Sequence, residues 1–401
     1  MSFRYVAGVV GKTVTPSGPY QNSTAPGIWS LAGQANFKAQ NLWPIAGSIA
    51  PTQLYSWGKN NFGQLGQGNI TSYSSPKQVG ALSAWSTIAT GQYQTASVKT
   101  DGTLWTWGRN NSGQLGLGNI TDYSSPKQVG ALTAWASTAC GNFHTVATKT
   151  DGTIWSWGRN TAGQLGLGNA TNYSSPKQIG ALTTWLTIAC GQYFTLAIKT
   201  DGTLWTWGEN NFGQLGLSDT TVRSSPVQVG GLTNWSTVSA GSQFSVSVKT
   251  NGTMWSWGRN NLGKLGDGTG SNYSSPKQIG ALTTWLKISC GYAHTLASTT
   301  TGALWSWGSN NQGQLGLGNT TNYSSPKQIG ALTTWLTVAA GFYHSVVGKT
   351  DGTLWSWGKN NVGQLGLGNL TYRSSPSQIG ALTTWLRAAA GYDFTTSIAI
   401  S

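Results

Sequence analysis

Hydrophobic and polar positions recur along this chain with one fixed period. A Trp-Gly pair opens a stretch rich in Gly and Asn, as in WGRNNSGQLGLGN at residues 107–119, and a closely similar stretch returns every 50 residues. A period of this size is typical of solenoids, propellers and arrays. The Trp of the pair stands at Trp57, Trp107, Trp157, Trp207, Trp257, Trp307 and Trp357.

Within one repeat, the pattern predicts four short β-strands. Residues 184–191 (TWLTIACG) are rich in β-branched side chains, and residues 194–200 (FTLAIKT) alternate and run into an Asp-Gly hairpin signal. Residues 203–208 (TLWTWG) place Trp205 and Trp207 on one face, because side chains alternate along a strand. The segment SSPKQIG supplies the fourth strand, which should be outermost because Pro is tolerated only at a sheet edge.

Seven such units predict an all-β fold, a seven-bladed β-propeller with four antiparallel strands per blade over residues 54–401. The first copy opens with the third strand at Leu54, and the last stops after the second strand, which begins at Phe394. We expect the two half-blades to form one shared blade, because ring closure removes two open strand edges. The innermost strand ends in a small residue, as crowding around an axis requires: Thr90, Cys140, Cys190, Ala240, Cys290, Ala340 and Ala390.

The motif W-G-x-N-x-x-G-Q-L-G-x-G, together with G-x-x-H, resembles the repeat of the regulator of chromosome condensation family, a seven-bladed propeller. The resemblance covers about residues 54–401. It implies that His in this motif belongs to the structural repeat.

Ionisable groups suited to catalysis are scarce. The chain has nine acidic residues, and Asp101, Asp151, Asp201 and Asp351 fall in the hairpin turns. One slot of the repeat holds His144, His294 and His344 in three copies and Gln94, Phe194, Phe244 and Phe394 in the others. Because this position also accepts Phe, its main role is expected to be packing. The three cysteines are interpreted as small buried residues. We therefore expect no enzyme activity, no catalytic residue, no metal site and no cofactor.

The formal net charge is +14, and most of the basic residues form three sets of five. One set follows the Trp-Gly pair: Lys59, Arg109, Arg159, Arg259 and Lys359. A second lies on the outer strand: Lys77, Lys127, Lys177, Lys277 and Lys327. A third precedes the hairpin turn: Lys99, Lys149, Lys199, Lys249 and Lys349. Solubility and edge protection explain all three sets, and attraction to an anionic surface is the alternative. Nucleic acid is disfavoured, because the charges are spread around a ring.

A ligand is expected on the face formed by the first and third connections of each blade, since these connections vary while the opposite face is monotonous. Aromatic side chains with amide neighbours suit sugar stacking or protein contact, although turns also tolerate drift. The candidate ligand-binding residues are Phe62, Tyr93, Asn142, Phe143, Gln192, Tyr193, Phe212, Tyr292, Phe342, Tyr343 and Tyr392.

Residues 1–53 do not repeat and are expected to act as an anchor. Ser30 should cap a short helix that stops before Pro44, with apolar anchor residues at Trp29, Leu31, Phe37, Leu42 and Trp43. The stretch GIWSLAGQANFKAQNLWP resembles short segments in structural proteins of marine bacteriophage particles. That resemblance implies a virion component.

Three functions are weighed. The first is a non-enzymatic structural or adhesion protein of a phage virion, in a tail fibre, a baseplate or a capsid decoration. It would contact other virion proteins through residues 1–53 and present the propeller to a host-surface glycan or protein. The second is a free propeller that binds and inhibits a protein. The third, a guanine nucleotide exchange factor, fares worst because all blades have one length and none carries an inserted wedge.

The expected location is the virion, with a cytoplasmic or secreted soluble protein as the alternative. No membrane span is predicted, because no run of about 18 apolar residues occurs. An oligomer is left open as an arrangement of the chain.

Overall fold

A computed structural model describes residues 51–400, in which 28 strands form seven four-stranded antiparallel sheets. Each sheet is one blade, so the predicted seven-bladed propeller is confirmed. One three-residue 3-10 turn at Asn261–Gly263 is the only helical element of this described part.

Blade 1 contains strands from both ends of the described range, and blades 2 to 7 follow in chain order. Blade 1 comprises β1 (Thr52–Gly58), β2 (Tyr73–Ser83), β27 (Trp385–Ala390) and β28 (Phe394–Ile400). Blade 2 comprises β3 (Trp85–Thr90), β4 (Gln94–Lys99), β5 (Leu104–Gly108) and β6 (Tyr123–Gln128). Blade 3 comprises β7 (Trp135–Cys140), β8 (His144–Lys149), β9 (Ile154–Gly158) and β10 (Tyr173–Gln178). Blade 4 comprises β11 (Trp185–Cys190), β12 (Phe194–Lys199), β13 (Leu204–Gly208) and β14 (Arg223–Gln228).

The remaining three blades have the same build. Blade 5 comprises β15 (Trp235–Ala240), β16 (Phe244–Lys249), β17 (Met254–Gly258) and β18 (Tyr273–Gln278). Blade 6 comprises β19 (Trp285–Cys290), β20 (His294–Thr299), β21 (Leu304–Gly308) and β22 (Tyr323–Gln328). Blade 7 comprises β23 (Trp335–Ala340), β24 (His344–Lys349), β25 (Leu354–Gly358) and β26 (Arg373–Gln378).

Ring closure occurs as the half-blade argument predicted. The strand order in blade 1 is β2-β1-β28-β27. Strand β1 pairs with β28 without interruption, from Thr52 opposite Ile400 to Gly58 opposite Phe394. The Pro-containing strand is outermost in every blade, also as predicted. In blade 2 its pairing with β5 skips from Tyr123 to Lys127, so Pro126 falls in the irregular stretch and removes no ladder hydrogen bond.

The hydrophobic cores lie between neighbouring blades. The core between blades 1 and 2, for example, joins Leu54, Val79 and Ile398 to Trp85 and Trp107, and seven such clusters follow the ring. In blades 2 to 7, each inner-strand Trp packs edge-on against both Trp residues of the third strand, at 6.0 Å for Trp185 with Trp205 and with Trp207. In blade 1, Trp385 packs in the same way against Tyr55 and Trp57. The predicted placement of Trp205 and Trp207 on one face is therefore confirmed.

The Trp of the Trp-Gly pair also makes a polar bond to the preceding blade. The indole N–H of Trp107 donates to the carbonyl oxygen of Gln64 at 3.0 Å, and the hydroxyl of Thr95 donates to the same oxygen at 3.0 Å. Blade 1 is held in the same way, because Trp57 donates to the carbonyl of Gln364 in blade 7. The Gly two residues after this Gln is also required, since a Cβ on Gly116, whose φ is +74°, would lie 2.7 Å from the Trp157 indole nitrogen.

The hairpin turns between the second and third strands show the role of the Asp residues placed there. They also change the interpretation of the lysine set that precedes each turn. Asp101 accepts hydrogen bonds from the backbone N–H and the hydroxyl of Thr103, at 2.9 and 2.6 Å, as a turn residue should. The lysine set before the turn does not serve mainly solubility. The Lys199 ammonium lies 3.6 Å from the centre of the Trp205 ring and 4.8 Å from that of Trp185, and only 7% of the residue is exposed. These lysines are structural cation–π partners.

Blade 5 departs from the repeat at one position, where Lys264 replaces the Gln of the motif. Gln64 uses its side-chain oxygen to accept the backbone N–H of Phe62. Lysine cannot accept this bond, and here the chain forms the 3-10 turn with Leu262 at φ +71°. Lys264 is 2% exposed, and burial, reinforced by the charge of Arg259, lowers its pKa to about 7.

Deletion of residues 394–401 should abolish cooperative folding of the ring, because β28 is the strand that joins β1 to β27. Thermal unfolding followed by circular dichroism, together with size-exclusion chromatography, would show loss of a sharp transition or gross aggregation. A peptide of the deleted sequence added in trans should restore the transition. Melting of the truncated chain like that of the intact chain would refute closure by shared strands.

Replacement of Lys264 by Gln should stabilise the protein most at neutral pH and below. The pKa of the folded lysine, about 7, lies below its ordinary value of 10.5. The unfolded state therefore binds more protons between these pH values, and the stability of the native sequence rises with pH there, by at most about 1.4 kcal/mol per pH unit. The advantage of Lys264→Gln should shrink from pH 7 to pH 10 in urea titrations. The reciprocal variant Gln164→Lys should acquire the same pH dependence, and a pH-independent difference would contradict the assignment.

Candidate functional site

The first and third connections of the blades meet on one face of the ring. Phe62, in the third connection of blade 1, lies 5.0 Å from Tyr93 in the first connection of blade 2. The hairpin turns meet the links between blades on the other face, where the N–H of Trp135 donates to the carbonyl of Gly102. The face expected to vary is thus continuous, and we call it the loop face.

The central channel opens on the loop face through a narrow mouth. A cavity of about 90 Å³ is lined there by the small last residues of the inner strands, including Cys140, Cys190 and Ala240, and by the residues that follow them. The mouth has two unlike halves. Blades 2 to 5 contribute the polar side chains Gln92, Asn142, Gln192 and Ser242, whereas blades 6, 7 and 1 contribute Tyr292, Phe342 and Tyr392.

The aromatic half of the mouth is closely packed. The ring of Phe342 lies 3.7 Å from that of Tyr292 and 3.9 Å from that of Tyr392, centre to centre. Tyr343 contacts Phe342 edge-on at 4.5 Å, and Tyr93 continues the cluster 5.6 Å from Tyr392. These rings remain partly exposed, so they offer stacking surface that is already held in place.

Basic side chains extend this cluster across the loop face. The Arg109 guanidinium lies 4.6 Å from the ring centre of Phe62, 5.5 Å from that of Phe143 and 5.7 Å from that of Tyr93. Arg159 lies between Phe143 and Tyr193 in the same way, at 5.8 and 5.3 Å. Arginine that stacks on rings keeps its N–H groups free to bind carboxylates. These contacts form one continuous set, which we call the aromatic–basic arc. Its members are Phe62, Tyr93, Arg109, Phe143, Arg159, Tyr193, Tyr292, Phe342, Tyr343 and Tyr392.

Five acidic residues lie in the connections of this face, and each is hydrogen-bonded or ion-paired to a neighbour: Asp122, Glu209, Asp219, Asp267 and Asp393. Asp393 is 4% exposed and accepts bonds from Lys359 at 3.1 Å and from Gln364 at 3.2 Å. Burial raises the pKa of Glu209, whose carboxylate accepts a bond from Asn211. Among the described residues, Lys59, Arg109, Arg159 and Arg259 form no ion pair. The arc therefore presents uncompensated positive charge.

Three tyrosines of the arc, Tyr93, Tyr343 and Tyr392, act as neutral hydroxyl groups. Burial, followed by the charges of nearby groups such as Tyr93 and Asp393, raises the pKa of Tyr392 to about 12. Burial also raises the pKa of Tyr93 and of Tyr343. Near neutral pH each phenol can donate a hydrogen bond beside its ring surface.

The structure brings together most of the candidate ligand residues and separates a few. Phe62, Tyr93, Phe143, Tyr193, Tyr292, Phe342, Tyr343 and Tyr392 form the arc. Asn142 and Gln192 lie at the polar half of the mouth. Phe212 stands apart with Arg259, at 4.6 Å. The anchor residues Trp29, Leu31, Phe37, Leu42 and Trp43 lie outside the described residues.

The arginines of the arc were missed as site residues, although the sequence carried the signal. They occupy the first position of the third connection, directly after the Trp-Gly pair, and therefore must lie on the loop face. The set that follows the Trp-Gly pair was recognised, but it received the same interpretation as the other two basic sets, solubility and edge protection or attraction to an anionic surface.

The histidine slot lies inside the interface between blades. His144 is fully buried, and its Nε2 lies 3.2 Å from the hydroxyl of Thr195 in the next blade. Gln94 serves the same purpose by donating to the carbonyl of Gly141. Burial lowers the pKa of His144, His294 and His344 to about 3, so all three are neutral at pH 7.

The cysteines line the channel mouth, where Cys290 is buried, as expected for all three, and Cys140 and Cys190 are partly exposed. Burial raises the pKa of Cys140 and of Cys290 to about 12, and all three cysteines are free. Within residues 51–400 no three His, Cys, Asp or Glu side chains cluster as metal ligands, and no helix is long and apolar enough to cross a membrane.

Comparison with known proteins matches the repeat to one family. A model described as the regulator of chromosome condensation (RCC1) repeat matches residues 53–98, 101–148, 151–198, 201–248, 251–298, 301–347 and 351–398. A second model of this repeat matches six segments between residues 85 and 364. A search of curated protein sequences finds no match.

Several solved structures share the fold. Human WBSCR16 has 22% identity and a TM-score of 0.79, with 87% of this chain and 99% of that chain covered. Prp20p from Saccharomyces cerevisiae has 20% identity and a TM-score of 0.81, with 92% and 94% covered. Yeast RCC1 (Prp20), solved with Kap60, has 19% identity and a TM-score of 0.80, with 100% and 97% covered. At these identities the likeness shows the fold alone.

Simultaneous replacement of His144, His294 and His344 by Gln should preserve the fold and reduce its sensitivity to acid. Each folded-state pKa of about 3 lies below the ordinary value of 6.5, so the unfolded state takes up protons first as the pH falls through this window. The native protein should therefore lose more unfolding free energy than the variant between pH 7 and pH 4, as measured by urea titration. An unchanged acid dependence would refute the buried, neutral assignment. Loss of partner binding with the fold intact would assign these residues a function.

Proposed function

Because the chain belongs to the regulator of chromosome condensation repeat family, we propose that it is a non-enzymatic binding module that recognises an acidic protein surface through its aromatic–basic arc. The single observation that supports this most is the contact of Arg109 with three rings from neighbouring blades while its charge is not neutralised. Aromatic and arginine side chains that neighbouring contacts keep in place are typical of the residues that contribute most of the binding energy in protein interfaces.

The shape of the loop face favours a large partner. The cavity at the channel mouth, about 90 Å³, is well below the several hundred Å³ of a typical small-molecule pocket. The arc instead spreads over the connections of blades 1 to 4, 6 and 7. A broad surface with exposed rings and cations suits a protein that offers carboxylates and apolar side chains together.

Precedent among proteins with this fold agrees with protein binding. Prp20p is described with binding properties to Gsp1p and histones, and yeast RCC1 (Prp20) was solved bound to Kap60. The role of a guanine nucleotide exchange factor has less support in this chain. Its seven repeats keep one length, and no blade carries an inserted segment that would open a nucleotide site.

A finer hypothesis is that the module is part of a phage virion, attached through residues 1–53, with a host-surface glycan or protein as its target. It depends on the sequence of a segment that lies almost wholly outside the described residues. One described feature is compatible with it: β1 starts at Thr52 opposite Ile400, at the end of blade 1 that faces away from the loop face. The virion location, with its cytoplasmic or secreted alternative, stays a prediction.

Binding should weaken when four residues of the arc are replaced by residues that other blades use at the same positions. The variant combines Arg109→Ser and Arg159→Ser, after Ser309, with Tyr93→Ala and Tyr343→Ala, after Ala293. Immobilised poly-glutamate and heparin serve as acidic polypeptide and acidic glycan probes in surface plasmon resonance. We expect at least about a tenfold weaker affinity for poly-glutamate, and binding that falls as salt rises.

The matched control removes two charges from the outer strand by Lys127→Val and Lys177→Val, after Val227. It should bind nearly as the native chain does. Equal loss in both variants would refute recognition by the arc and indicate diffuse charge attraction. Retention of heparin binding in the arc variant, with poly-glutamate binding lost, would leave the protein-binding proposal intact. The reverse pattern would replace it with glycan recognition.

A further inference from the structure

Grooves between neighbouring blades form a second type of cavity in the ring. The groove between blades 5 and 6 has a volume of about 330 Å³, and the equivalent grooves between blades 2 and 3 and between blades 6 and 7 have about 390 and 430 Å³. These volumes fall in the range of small-molecule sites. Leu117 and Leu317 line the other two grooves, whereas Asp267 lines the groove between blades 5 and 6, together with Lys277. This groove therefore departs from the repeat.

Asp267 fixes the position of the Lys277 ammonium. The Asp267 side chain is only 2% exposed, and the ammonium donates to its carboxylate at 3.0 Å and to the hydroxyl of Tyr273 at 2.6 Å. The ammonium lies 4.1 Å from the centre of the Tyr273 ring, whereas the same distance is 5.4 to 5.8 Å for the other outer-strand lysines. An ammonium has three N–H donors. One donor is therefore left for a ligand, and 42% of the Lys277 side chain is exposed.

The same groove offers a hydrogen-bond acceptor and a hydroxyl group. The side-chain amide nitrogen of Gln278 donates to the carbonyl of Gly280 at 3.1 Å, and the side-chain oxygen of Gln278 has no partner among the described residues. Ser325, on the outer strand of blade 6, adds an exposed hydroxyl. A ligand that accepts a bond from Lys277 and donates one to Gln278 needs groups that do both, and hydroxyl groups do. A carboxylate cannot donate, and an ammonium cannot accept.

The rest of the groove is apolar and partly aromatic. Ile279, Leu282 and Pro326 line it together with the indoles of Trp285 and Trp305. Trp305 is half-buried and Leu282 is 43% exposed, so both offer surface to a ligand. An indole wall is a large rigid apolar surface that suits the flat C–H face of a ring. The groove therefore fits a ring compound with one apolar face and hydroxyl groups along its edge.

We propose that the groove between blades 5 and 6 binds a saccharide ring, either free or at the end of a glycan. The C–H face of the sugar packs on Trp305 and Leu282, and its hydroxyl groups accept a bond from Lys277 and donate one to Gln278. A charged donor makes the stronger type of hydrogen bond, and a donor that is already held in place loses less side-chain entropy on binding. None of these residues belongs to the aromatic–basic arc, so the site does not require the proposed function.

Blade 4 supplies a groove variant that removes the ion pair without changing the net charge. It carries Leu and Val at the positions of Asp267 and Lys277, so Asp267→Leu with Lys277→Val should preserve the fold. The matched control, Asp219→Asn with Arg223→Tyr, removes the ion pair of blade 4, introduces the residues that blade 2 carries there, and leaves the groove unchanged. A second groove variant, Leu282→Asn, tests the apolar wall at an exposed position.

The methyl glycosides of glucose, galactose and mannose are titrated into each protein and followed by saturation-transfer NMR. Glycerol serves as a hydroxylated compound that has no ring face. The native chain and the control should bind at least one of the glycosides saturably and should not bind glycerol. Both groove variants should melt cooperatively in circular dichroism, and each should bind that glycoside at least about tenfold more weakly.

Capture of the native chain on beads that carry the bound sugar would assign the site to the end of a glycan, and saturable binding without capture would assign it to the free sugar. Either result supports the proposal. Absence of saturable binding of all three glycosides to the native chain would overturn it. Unchanged affinity in both groove variants, or equal loss in the control, would also overturn it.

Discussion

One backbone carbonyl per blade holds the ring together. The carbonyl of Gln64 accepts the indole N–H of Trp107 and the hydroxyl of Thr95, both from the next blade. The same oxygen of Lys264 accepts Trp307 and Thr295, so the bond survives a change of side chain because it uses the backbone. A buried carbonyl must be paired, and here its partners come only from a correctly placed neighbour. The Trp and the loop that carries this carbonyl together form the contact between blades. This explains why the Trp recurs in all seven repeats and Gln-Leu-Gly in six, with Lys264 in place of Gln in blade 5.

The contact between blades fixes the residue type at some positions of the repeat and leaves other positions free to vary. The ring fixes the Trp, the glycines under it and the Asn that orders the third connection, where Asn60 accepts the N–H of Leu65 and donates to the carbonyl of Asn69. The side chain directly after the Trp-Gly pair is not needed for these contacts, and it changes from Arg to Glu to Ser around the ring. The residue before the second strand likewise ranges from Tyr93 to Ala293. The aromatic–basic arc is built from these unconstrained positions, so the fold can keep its shape while the arc changes.

The sequence was sufficient for the blades but not for every side chain. Strand order and closure follow from local pattern, the edge position of Pro and the phase of the repeats, and the structure confirms them. The position of Lys199 beneath Trp205 and Trp185 was not foreseen, because a Lys before a turn looks solvated until two strands bring their indoles over it. The position of Arg109 was accessible from the sequence, through its fixed place after Trp107 and Gly108.

The small number of acidic residues explains why several basic side chains have no ion-pair partner within the described residues. Asp101, Asp151, Asp201 and Asp351 are used in the hairpin turns, and hydrogen bonds from the Thr two residues on lower the pKa of each carboxyl group, opposed by desolvation that is largest at Asp101. The third lysine set is compensated by indole faces. The other five acidic residues lie in connections of the loop face, but none of them forms an ion pair with Arg109 or Arg159. Rings stacked on Arg109 and Arg159 hold these charges in place without neutralising them. This distribution of charge is the physical basis for the proposal that the loop face binds an acidic partner.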